Sequence, residues 1–397
     1  MPSSRFFSAA AAGAVRRLSC VPCLAVAVGY EVHVQRRNSS RCTYGDAHAK
    51  AHGEGPTQLG LVGAVGNTPL LYLRSVSAAT GCHVFAKAEF MNPTASVKDR
   101  AAKALLEAAE RSGKLRPGGT ICEGTGGNTG ISLAHLAISK GYKVILFMPS
   151  GISTEKIEHQ RRLGAEVHVQ PMVPFANPEN YAKKAETVAA ALTDEGQNVV
   201  FTNQFENTAN FQAHYDNTGP EIWIQTKGTV DAFVCSAGTG GTIAGVSASL
   251  KDLNSNIKAY LIDPSGSVLF SFVKEGKVEV CHKTSSVIEG VGIGRITANM
   301  KKANLDGAFY GTDQEAIDMA YFLLRNDGIF VGPSAALNVV GAVKTAREIG
   351  PDKVIVTILC DSGERYASKM YNAKWLEDER LTPTKDVEKD YQLAFVK

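Results

Sequence analysis

Residues 232–250 read AFVCSAGTGGTIAGVSASL, an apolar run followed by a glycine-rich turn and a stretch with helical periodicity. The apolar run, 232–236, predicts a strand covered on both faces, whereas Ile243, Val246 and Leu250 are spaced to share one face of a helix. A strand, a glycine turn and a helix N-terminus together present free backbone N–H groups to an anion. We therefore interpret the turn either as a phosphate-binding loop or as a tight turn that packs closely on its helix; it comprises Gly238-Thr239-Gly240-Gly241-Thr242.

The same alternation of strand and helix patterns continues along the chain beyond residue 57. Because strands alternate with helices, we expect an α/β fold with mostly parallel sheets. A length of 397 residues allows one large or two medium domains, and no linker rich in Pro, Gly and Ser divides the chain. Further strands are predicted at 83–88, 143–148, 258–262 and 353–359, and helices at 100–112, 131–140, 242–253 and 335–349.

Composition excludes several classes of protein. The formal net charge is only +3 and charged residues make up 20% of the chain, so electrostatic binding of nucleic acid is not expected. The eight cysteines are scattered in a chain that needs no cross-links, which favours a reducing compartment. Cys20 and Cys23 form a C-x-x-C pair without a second pair, and no metal site is predicted.

The two ends of the chain differ from its centre. Residues 1–56 are rich in Arg, Ala and Ser and contain no acidic residue before Glu31, a composition typical of a mitochondrial transit peptide. A secretory signal, as part of a plastid address, is the main alternative, and a cytoplasmic location is a further one. The apolar runs there are too short for a membrane span, so no membrane association of the mature form is expected. Residues 376–397 are charged and predict a solvated tail.

Three further segments contain residues suited to ligand chemistry. The loop Gly124-Thr125-Gly126-Gly127-Asn128-Thr129-Gly130 lies between a β-like stretch, 120–122, and a helix pattern. Its backbone amides suit a carboxylate, or else form a glycine-rich N-cap. Lys98 stands at a helix start, where the dipole disfavours a cation. An imine formed between this lysine and a cofactor would reduce that penalty. Asp361-Ser362-Gly363 directly follows a predicted strand, at the carboxyl end where α/β sheets bind ligands.

Taken together and in this order, these segments resemble the motifs of the cysteine synthase and cystathionine β-synthase family, pyridoxal-phosphate enzymes of fold type II, and are most similar to the cysteine synthases. The resemblance covers about residues 61–370. It is carried by the motifs Gly66-Asn67-Thr68-Pro69-Leu70, Asn92 to Arg100, Gly124 to Gly130, Asn203-Gln204-Phe205, Gly238 to Thr242 and Asp361 to Tyr366.

The resemblance implies an architecture. The catalytic region, 57–375, would form two three-layer α/β/α domains with mostly parallel, twisted sheets and the cofactor in the cleft between them. The smaller, mobile domain would comprise about 92–205, and the larger one 57–91 together with 206–375. Members of the family are commonly homodimers, so we expect a homodimer.

The resemblance also implies roles for individual residues. Lys98 would hold pyridoxal 5'-phosphate as a Schiff base and then act as the base that removes the substrate α-proton. Asn128 would bond the ring hydroxyl, and Ser362 would face the pyridine nitrogen without holding it protonated. The cofactor phosphate would lie on Gly238, Thr239, Gly240, Gly241 and Thr242, and the substrate carboxylate on Thr125, Gly126, Thr129 and Gln204.

The implied reaction is β-elimination from O-acetyl-L-serine, or another activated serine, followed by addition of sulfide to give L-cysteine. Homocysteine, cyanide or water as the second reactant are alternatives. The chain departs from the family pattern at two positions: Gly126 stands where serine is usual, and Arg295 is unexpected near the active-site mouth. These departures leave open altered specificity, or a protein that binds the cofactor without turnover.

Overall fold

The computed structural model describes residues 60–282 and 285–397. The transit peptide predicted at 1–56 lies outside the described residues, and its assignment stays a prediction. The strands, in chain order, are β1 (Leu70–Tyr72), β2 (His83–Ala88), β3 (Thr120–Gly124), β4 (Lys143–Pro149), β5 (Glu166–Gln170), β6 (Val199–Phe201), β7 (Ala232–Cys235), β8 (Lys258–Asp263), β9 (Gly307–Tyr310) and β10 (Val354–Leu359).

The strands form two separate sheets. The larger sheet has six strands in the order β1-β2-β10-β7-β8-β9, and every neighbouring pair except β1 with β2 is parallel. The smaller sheet has the order β5-β4-β3-β6 and is wholly parallel. The predicted fold class, α/β with mostly parallel sheets, is confirmed.

Helices connect the strands, as parallel pairing requires. In chain order they are α1 (Gly60–Gly63), α2 (Arg74–Thr80), α3 (Lys98–Arg111), α4 (Asn128–Ser139), α5 (Thr154–Arg162), α6 (Tyr181–Asp194), α7 (Ala209–Ala213), α8 (Gly219–Gln225), α9 (Gly241–Leu253), α10 (Leu269–Glu275), α11 (Asp313–Asn326), α12 (Pro333–Ile349) and α13 (Ala373–Asp378). Within the described ranges, every helix falls short of the length and apolar character needed to cross a bilayer.

Side chains that alternate along the strands pack on opposite faces of each sheet. In the larger sheet, Val234 packs in a core with α11 and α12, whereas Phe233 packs in another core with α9. In the smaller sheet, Ile121 lies in a core with α3 and α4, whereas Cys122 packs against α6. Each sheet is therefore covered by helices on both faces, which gives two three-layer units.

The smaller sheet occupies residues 120–201, within the predicted smaller domain of 92–205. The exact domain bounds and the mobility of that domain stay predictions. The larger sheet is built from chain segments on both sides of this region, so the two units interleave in sequence.

The C-terminal segment corrects one expectation. Residues 376–397 are charged but do not form a solvated tail, because Val387, Leu393 and Val396 are buried in the core beside α11 and α12. Arg347 of α12 donates from Nη1 to the Val396 carbonyl at 2.6 Å and from Nη2 to the Leu393 carbonyl at 2.9 Å. The apolar residues of this segment are too widely spaced to show the periodicity of a helix or a strand. Their burial therefore could not be predicted from the sequence.

Candidate active site

A cavity of about 570 Å³ lies where loops from both sheets meet. The loops that line it follow the carboxyl ends of β3, β6, β7 and β10, the position at which open parallel sheets bind ligands. All but two of the predicted site residues line this cavity. Those that do are Lys98, Thr125, Gly126, Asn128, Thr129, Gln204, Gly238, Thr239, Gly240 and Thr242.

Lys98 is the first residue of α3, and its side chain lines the cavity. Among the described residues, its amine makes no hydrogen bond or ion pair. The side chains that follow it in the helix are buried and held elsewhere: Asp99 accepts from the Thr94 backbone N–H at 2.7 Å and from the Ser132 hydroxyl at 2.6 Å. The helix start is therefore fixed while the amine stays available for a ligand.

A buried network of charges anchors α3 to the larger sheet. Arg100 donates to Glu89 at 2.7 Å and to Glu221 at 2.7 Å, and Lys87 lies 2.6 Å from Glu221. Burial acts to raise the pKa of Glu221, but hydrogen bonds from Arg100 and Lys87 lower it to about 2. Removing one member would leave an uncompensated buried charge, so the network fixes the helix that carries Lys98.

The glycines of the first loop are sterically required. A side chain at Gly238 would collide with the Gly290 carbonyl, and one at Gly241 would collide with the Asn210 amide. Gly240 has φ +84°, and a Cβ there would lie 2.8 Å from the Met300 backbone. Only glycine therefore allows this backbone to reach the cavity and begin α9 with its N–H groups free.

The threonines of that loop are held by buried partners. Asn210 donates from Nδ2 to the Thr239 hydroxyl at 2.9 Å, and the Thr242 hydroxyl lies 3.1 Å from His214 Nε2. Burial holds the pKa of His214 well below its usual value, so the imidazole is neutral. Gly241 does not line the cavity; it packs against the Asn210 amide, where a side chain would collide.

The second loop is linked to Gln204. The Thr129 hydroxyl donates to Gln204 Oε1 at 2.6 Å, and Gln204 Nε2 donates to the Gly124 carbonyl at 3.0 Å. The Gly127 backbone N–H donates to the Thr125 hydroxyl at 3.2 Å. Backbone amides at the start of α4 therefore face the cavity beside two hydroxyls and an amide, a donor set that suits a carboxylate.

Asn128 is oriented by the segment after β10. It donates from Nδ2 to Asp361 at 2.6 Å, and its Oδ1 accepts from Arg365 at 2.6 Å. The Tyr366 hydroxyl donates to the same Asp361 oxygen at 2.7 Å. The Asp361 to Tyr366 motif therefore fixes the Asn128 amide at the cavity wall.

Ser362 is, with Gly241, one of the two predicted site residues that do not line the cavity. Its hydroxyl accepts from the Glu364 backbone N–H at 3.4 Å and caps a short 3-10 turn, Gly363–Tyr366. Ser334, the second residue of α12, is buried and lines the cavity instead. The sequence offered one signal for Ser334: Gly332-Pro333 predicts a helix start immediately before it.

Two cysteines that the sequence analysis did not assign to the site also line the cavity: Cys235 at the end of β7 and Cys360 just after β10. Asn338 donates from Nδ2 to Cys360 Sγ at 3.3 Å. Burial raises the pKa of Cys360 to about 11 and that of Cys235 well above its usual value. Both thiols are therefore neutral and are poor nucleophiles at neutral pH.

An ionic cluster forms part of the cavity lining. Glu289 pairs with Lys156 of α5 and with Lys369, the latter at 2.5 Å. Arg295 is not among the lining residues: it pairs with Glu206, and its guanidinium lies 4.0 Å from the Phe175 ring centroid. The departure at Arg295 thus lies outside the cavity lining, with its guanidinium 5.2 Å from the ring centroid of Phe205, which lines the cavity.

The donor set fits pyridoxal phosphate. A glycine cradle at a helix N-terminus suits the phosphate, and the Lys98 amine suits the aldehyde carbon. Ser236 Oγ, also in the cavity wall, is buried without a hydrogen-bond partner among the described residues. Such an orphaned group is expected where a polar ligand completes the site.

Comparisons with known proteins agree with this fit. Residues 61–361 match the family described as pyridoxal-phosphate dependent enzyme. The chain is 49% identical to a cysteine synthase of Dictyostelium discoideum over 327 residues, 80% of this chain and 85% of that protein. It is 50% identical to cysteine synthase 1 of Neurospora crassa, over 81% of this chain and 85% of that protein. A provisionally named mitochondrial cysteine synthase of Saccharomyces cerevisiae is 39% identical, over 77% and 82% of the two chains.

The family match spans most of the chain and includes Lys98 and both glycine-rich loops. The chain therefore belongs to the family of pyridoxal-phosphate dependent enzymes.

Proposed function

We propose that this protein is a cysteine synthase, which replaces the acetoxy group of O-acetyl-L-serine with sulfide to form L-cysteine. One observation carries the proposal: the Lys98 amine faces a single cavity that also receives a phosphate-type loop and a carboxylate-type loop. The names of the relatives from Dictyostelium discoideum and Neurospora crassa support the same activity.

Bound pyridoxal phosphate supplies an electron sink that stabilises negative charge at the substrate α-carbon. In the proposed reaction, the cradle at 238–242 holds the phosphate, and Thr125, Gly126, Thr129 and Gln204 bind the substrate carboxylate. The Asn128 side chain orients the cofactor ring by a hydrogen bond to the hydroxyl group of that ring. With the substrate fixed at both ends, the Lys98 amine takes the proton from the α-carbon while acetate leaves from the β-carbon.

We assign the pyridine nitrogen to Ser334 in place of Ser362. Ser334 lines the cavity, and its neutral hydroxyl would bond the nitrogen without holding it protonated, which favours elimination. A Ser334→Ala variant is expected to shift the visible absorption band of the bound cofactor, whereas Ser362→Ala should leave the band in place. The reverse result would restore the original assignment.

The test of the proposed function is cysteine formation from O-acetyl-L-serine and sulfide by the purified protein. We expect turnover by the wild type and a loss of at least about a thousandfold in Lys98→Ala. Lys103→Ala is the matched control, because Lys103 lies on the same helix outside the cavity lining. Normal turnover by Lys98→Ala, or none by the wild type loaded with cofactor, would contradict the proposal.

We also propose that residues 1–56 direct mitochondrial import and that the enzyme is a homodimer. The arginine-rich, acid-poor composition supports the first point, as does the name of the Saccharomyces cerevisiae relative. Imaging of a fluorescent protein fused to residues 1–56 tests import, and a plastid or cytoplasmic signal would overturn it. Light scattering that gives the mass of one chain would overturn the homodimer.

A further inference from the structure

Glu123 is a fully buried carboxyl group directly behind the loop assigned to the substrate carboxylate. It is the fourth residue of β3, and the strand ends at Gly124, where the loop begins. The group does not line the cavity, and the proposed reaction gives it no role. Burial of a carboxyl group is costly unless it is well hydrogen-bonded, so its partners indicate its purpose.

Three donors converge on this carboxyl group. Oε2 accepts from the Thr202 hydroxyl at 2.5 Å and from the Gln204 backbone N–H at 3.2 Å, and Oε1 accepts from the Gly124 backbone N–H at 3.1 Å. Gln204 in turn bonds the Gly124 carbonyl and the Thr129 hydroxyl. Glu123 therefore ties the segment after β6 to the first amide of the loop after β3.

We propose that Glu123 is a positioning residue for the amino-acid substrate: as a carboxylate, it holds Gln204 and the start of the Thr125 loop in the arrangement that binds the substrate carboxylate. The inference rests on the proposed function, because it takes this loop as the carboxylate site. Glu123 acts through Gln204 and Gly124 and touches no reacting atom.

The charge state of Glu123 changes what it can hold. A carboxylate accepts from all three donors, whereas a protonated acid carries a hydrogen that competes with them, so one backbone N–H loses its partner. Burial raises the pKa of Glu123 to about 7, although the bonds from Thr202, Gln204 and Gly124 act to lower it. Substrate affinity should therefore decrease as the pH falls through this value.

Other groups near Glu123 do not titrate in this range. Cys122 lies beside it on β3, and Tyr181 faces it from α6. Burial raises the pKa of Cys122 to about 12 and also raises that of Tyr181. Both groups are neutral between about pH 6 and pH 8. Because Asp263 and the amino group of the substrate also titrate in or near this window, the effect of Glu123 is measured as the ratio of mutant to wild-type KM, in which contributions common to both proteins cancel.

The experiment compares wild type with Glu123→Gln, which has the shape of the protonated acid. KM for O-acetyl-L-serine is measured at about pH 6 and about pH 8, on either side of the Glu123 pKa. We expect the ratio of mutant to wild-type KM to be about ten at the higher pH, the effect of one lost hydrogen bond, and close to one at the lower pH. The value of kcat should change less than about threefold. A ratio that is the same at both pH values would overturn the proposal, since a purely structural defect has no reason to vanish on acidification.

Asp263→Asn is the matched control. Burial raises the pKa of Asp263 to about 7 as well, and its carboxyl accepts from the Phe270 backbone N–H at 2.8 Å, outside the cavity lining. The ratio of the Asp263→Asn KM to the wild-type KM for O-acetyl-L-serine should stay close to one at both pH values. A ratio that follows that of Glu123→Gln would assign the effect to general loss of a buried charge and overturn the inference.

A second variant keeps the test decisive if Glu123→Gln does not fold. Thr202→Val removes one donor to the carboxylate and retains Glu123, so KM should begin to rise at a higher pH in this variant than in the wild type. The same transition pH in both proteins would contradict the inference.

Failure of the proposed function can be distinguished from failure of the inference about Glu123. If the wild type ignores O-acetyl-L-serine, the same ratio is measured with L-serine and L-cysteine through the cofactor band, and binding of none of them would overturn both proposals.

Discussion

The two glycine-rich loops of the cavity look alike in sequence but differ in the space around their glycines. In the loop at 238–242, added side chains would meet backbone or tightly held atoms at Gly238, Gly240 and Gly241. In the loop at 124–130 the two end glycines are equally crowded: a Cβ would lie 2.5 Å from the Ala182 backbone at Gly124 and 2.7 Å from Gln160 Oε1 at Gly130. At Gly126, in the middle of the loop, a Cβ would lie 3.7 Å from Ile152 Cδ1, an ordinary contact. The first loop is therefore fixed in composition by sterics, whereas part of the second has room for change. A loop fixed throughout suits a permanent cofactor, and a loop with space only at its centre suits a substrate that binds and is released in each turnover.

The largest effect is expected from Gly240→Ala. Alanine at φ +84° costs about 1–2 kcal/mol in backbone strain, and its Cβ would also crowd the Met300 backbone at 2.8 Å. We expect affinity for pyridoxal phosphate, measured by equilibrium dialysis, to fall at least about a hundredfold. Gly276→Ala is the control, because Gly276 has φ +70° in open space; it should lose stability and keep its cofactor. Equal cofactor loss in both variants would show that strain alone is responsible.

An intermediate effect is expected from Gly127→Ala. Gly127 has φ +147°, a conformation that costs an alanine about 1–3 kcal/mol, but its Cβ would meet a side chain, that of Lys156, at 3.0 Å, and no backbone atom at that distance. Cofactor affinity should stay within a few-fold, while KM for the amino acid rises about tenfold. Steady-state kinetics with saturating cofactor measure this. A cofactor loss as large as that of Gly240→Ala would erase the contrast between the loops.

The smallest effect is expected from Gly126→Ser. The position is outside the left-handed region and has room for a side chain, and serine is usual there in the family that the sequence resembles. We expect unchanged cofactor affinity and a decrease of a few-fold in KM, because the hydroxyl adds one hydrogen bond to the substrate carboxylate. Thermal unfolding checks that the variant is folded. Loss of cofactor would refute the idea that this loop has space to spare.

Much of the fold could be predicted because central strands have a strong signal. The runs at 83–88, 143–148, 232–236, 258–262 and 353–359 each coincide with an observed strand to within a residue or two. The strands absent from the prediction, β1, β5, β6 and β9, all lie at sheet edges. Edge strands are covered less completely and are short, so they lack the continuous apolar run that identified the others.

The helix starts were predicted one to three residues too late, for a reason connected with the site. Apolar periodicity begins after the first residues of a helix, and those first residues face the cavity or support it. Helices α3, α4, α9 and α12 begin at Lys98, Asn128, Gly241 and Pro333, in that order. Residues that serve a ligand replaced the apolar pattern there, so the motifs were more informative than the periodicity.

Ser362 was predicted from its position in the chain, which does not determine the direction of its side chain. Its position after β10 placed it at the correct edge of the sheet, but the chain turns there. Asp361, Arg365 and Tyr366 face Asn128 and its surroundings, whereas the Ser362 hydroxyl caps its own turn. Ser334 comes from a different segment, and only the packing of α12 against β10 brings it to the same cavity.

The measurement that tests the account most directly is a visible absorption spectrum of the purified protein during addition of O-acetyl-L-serine and then sulfide. We predict a yellow protein whose absorption band changes on addition of O-acetyl-L-serine and returns when sulfide is added, with L-cysteine as the product. The Lys98→Ala protein should lack the cycle. A cofactor-loaded wild type whose band ignores O-acetyl-L-serine, or a Lys98→Ala protein that completes the cycle, would contradict the account.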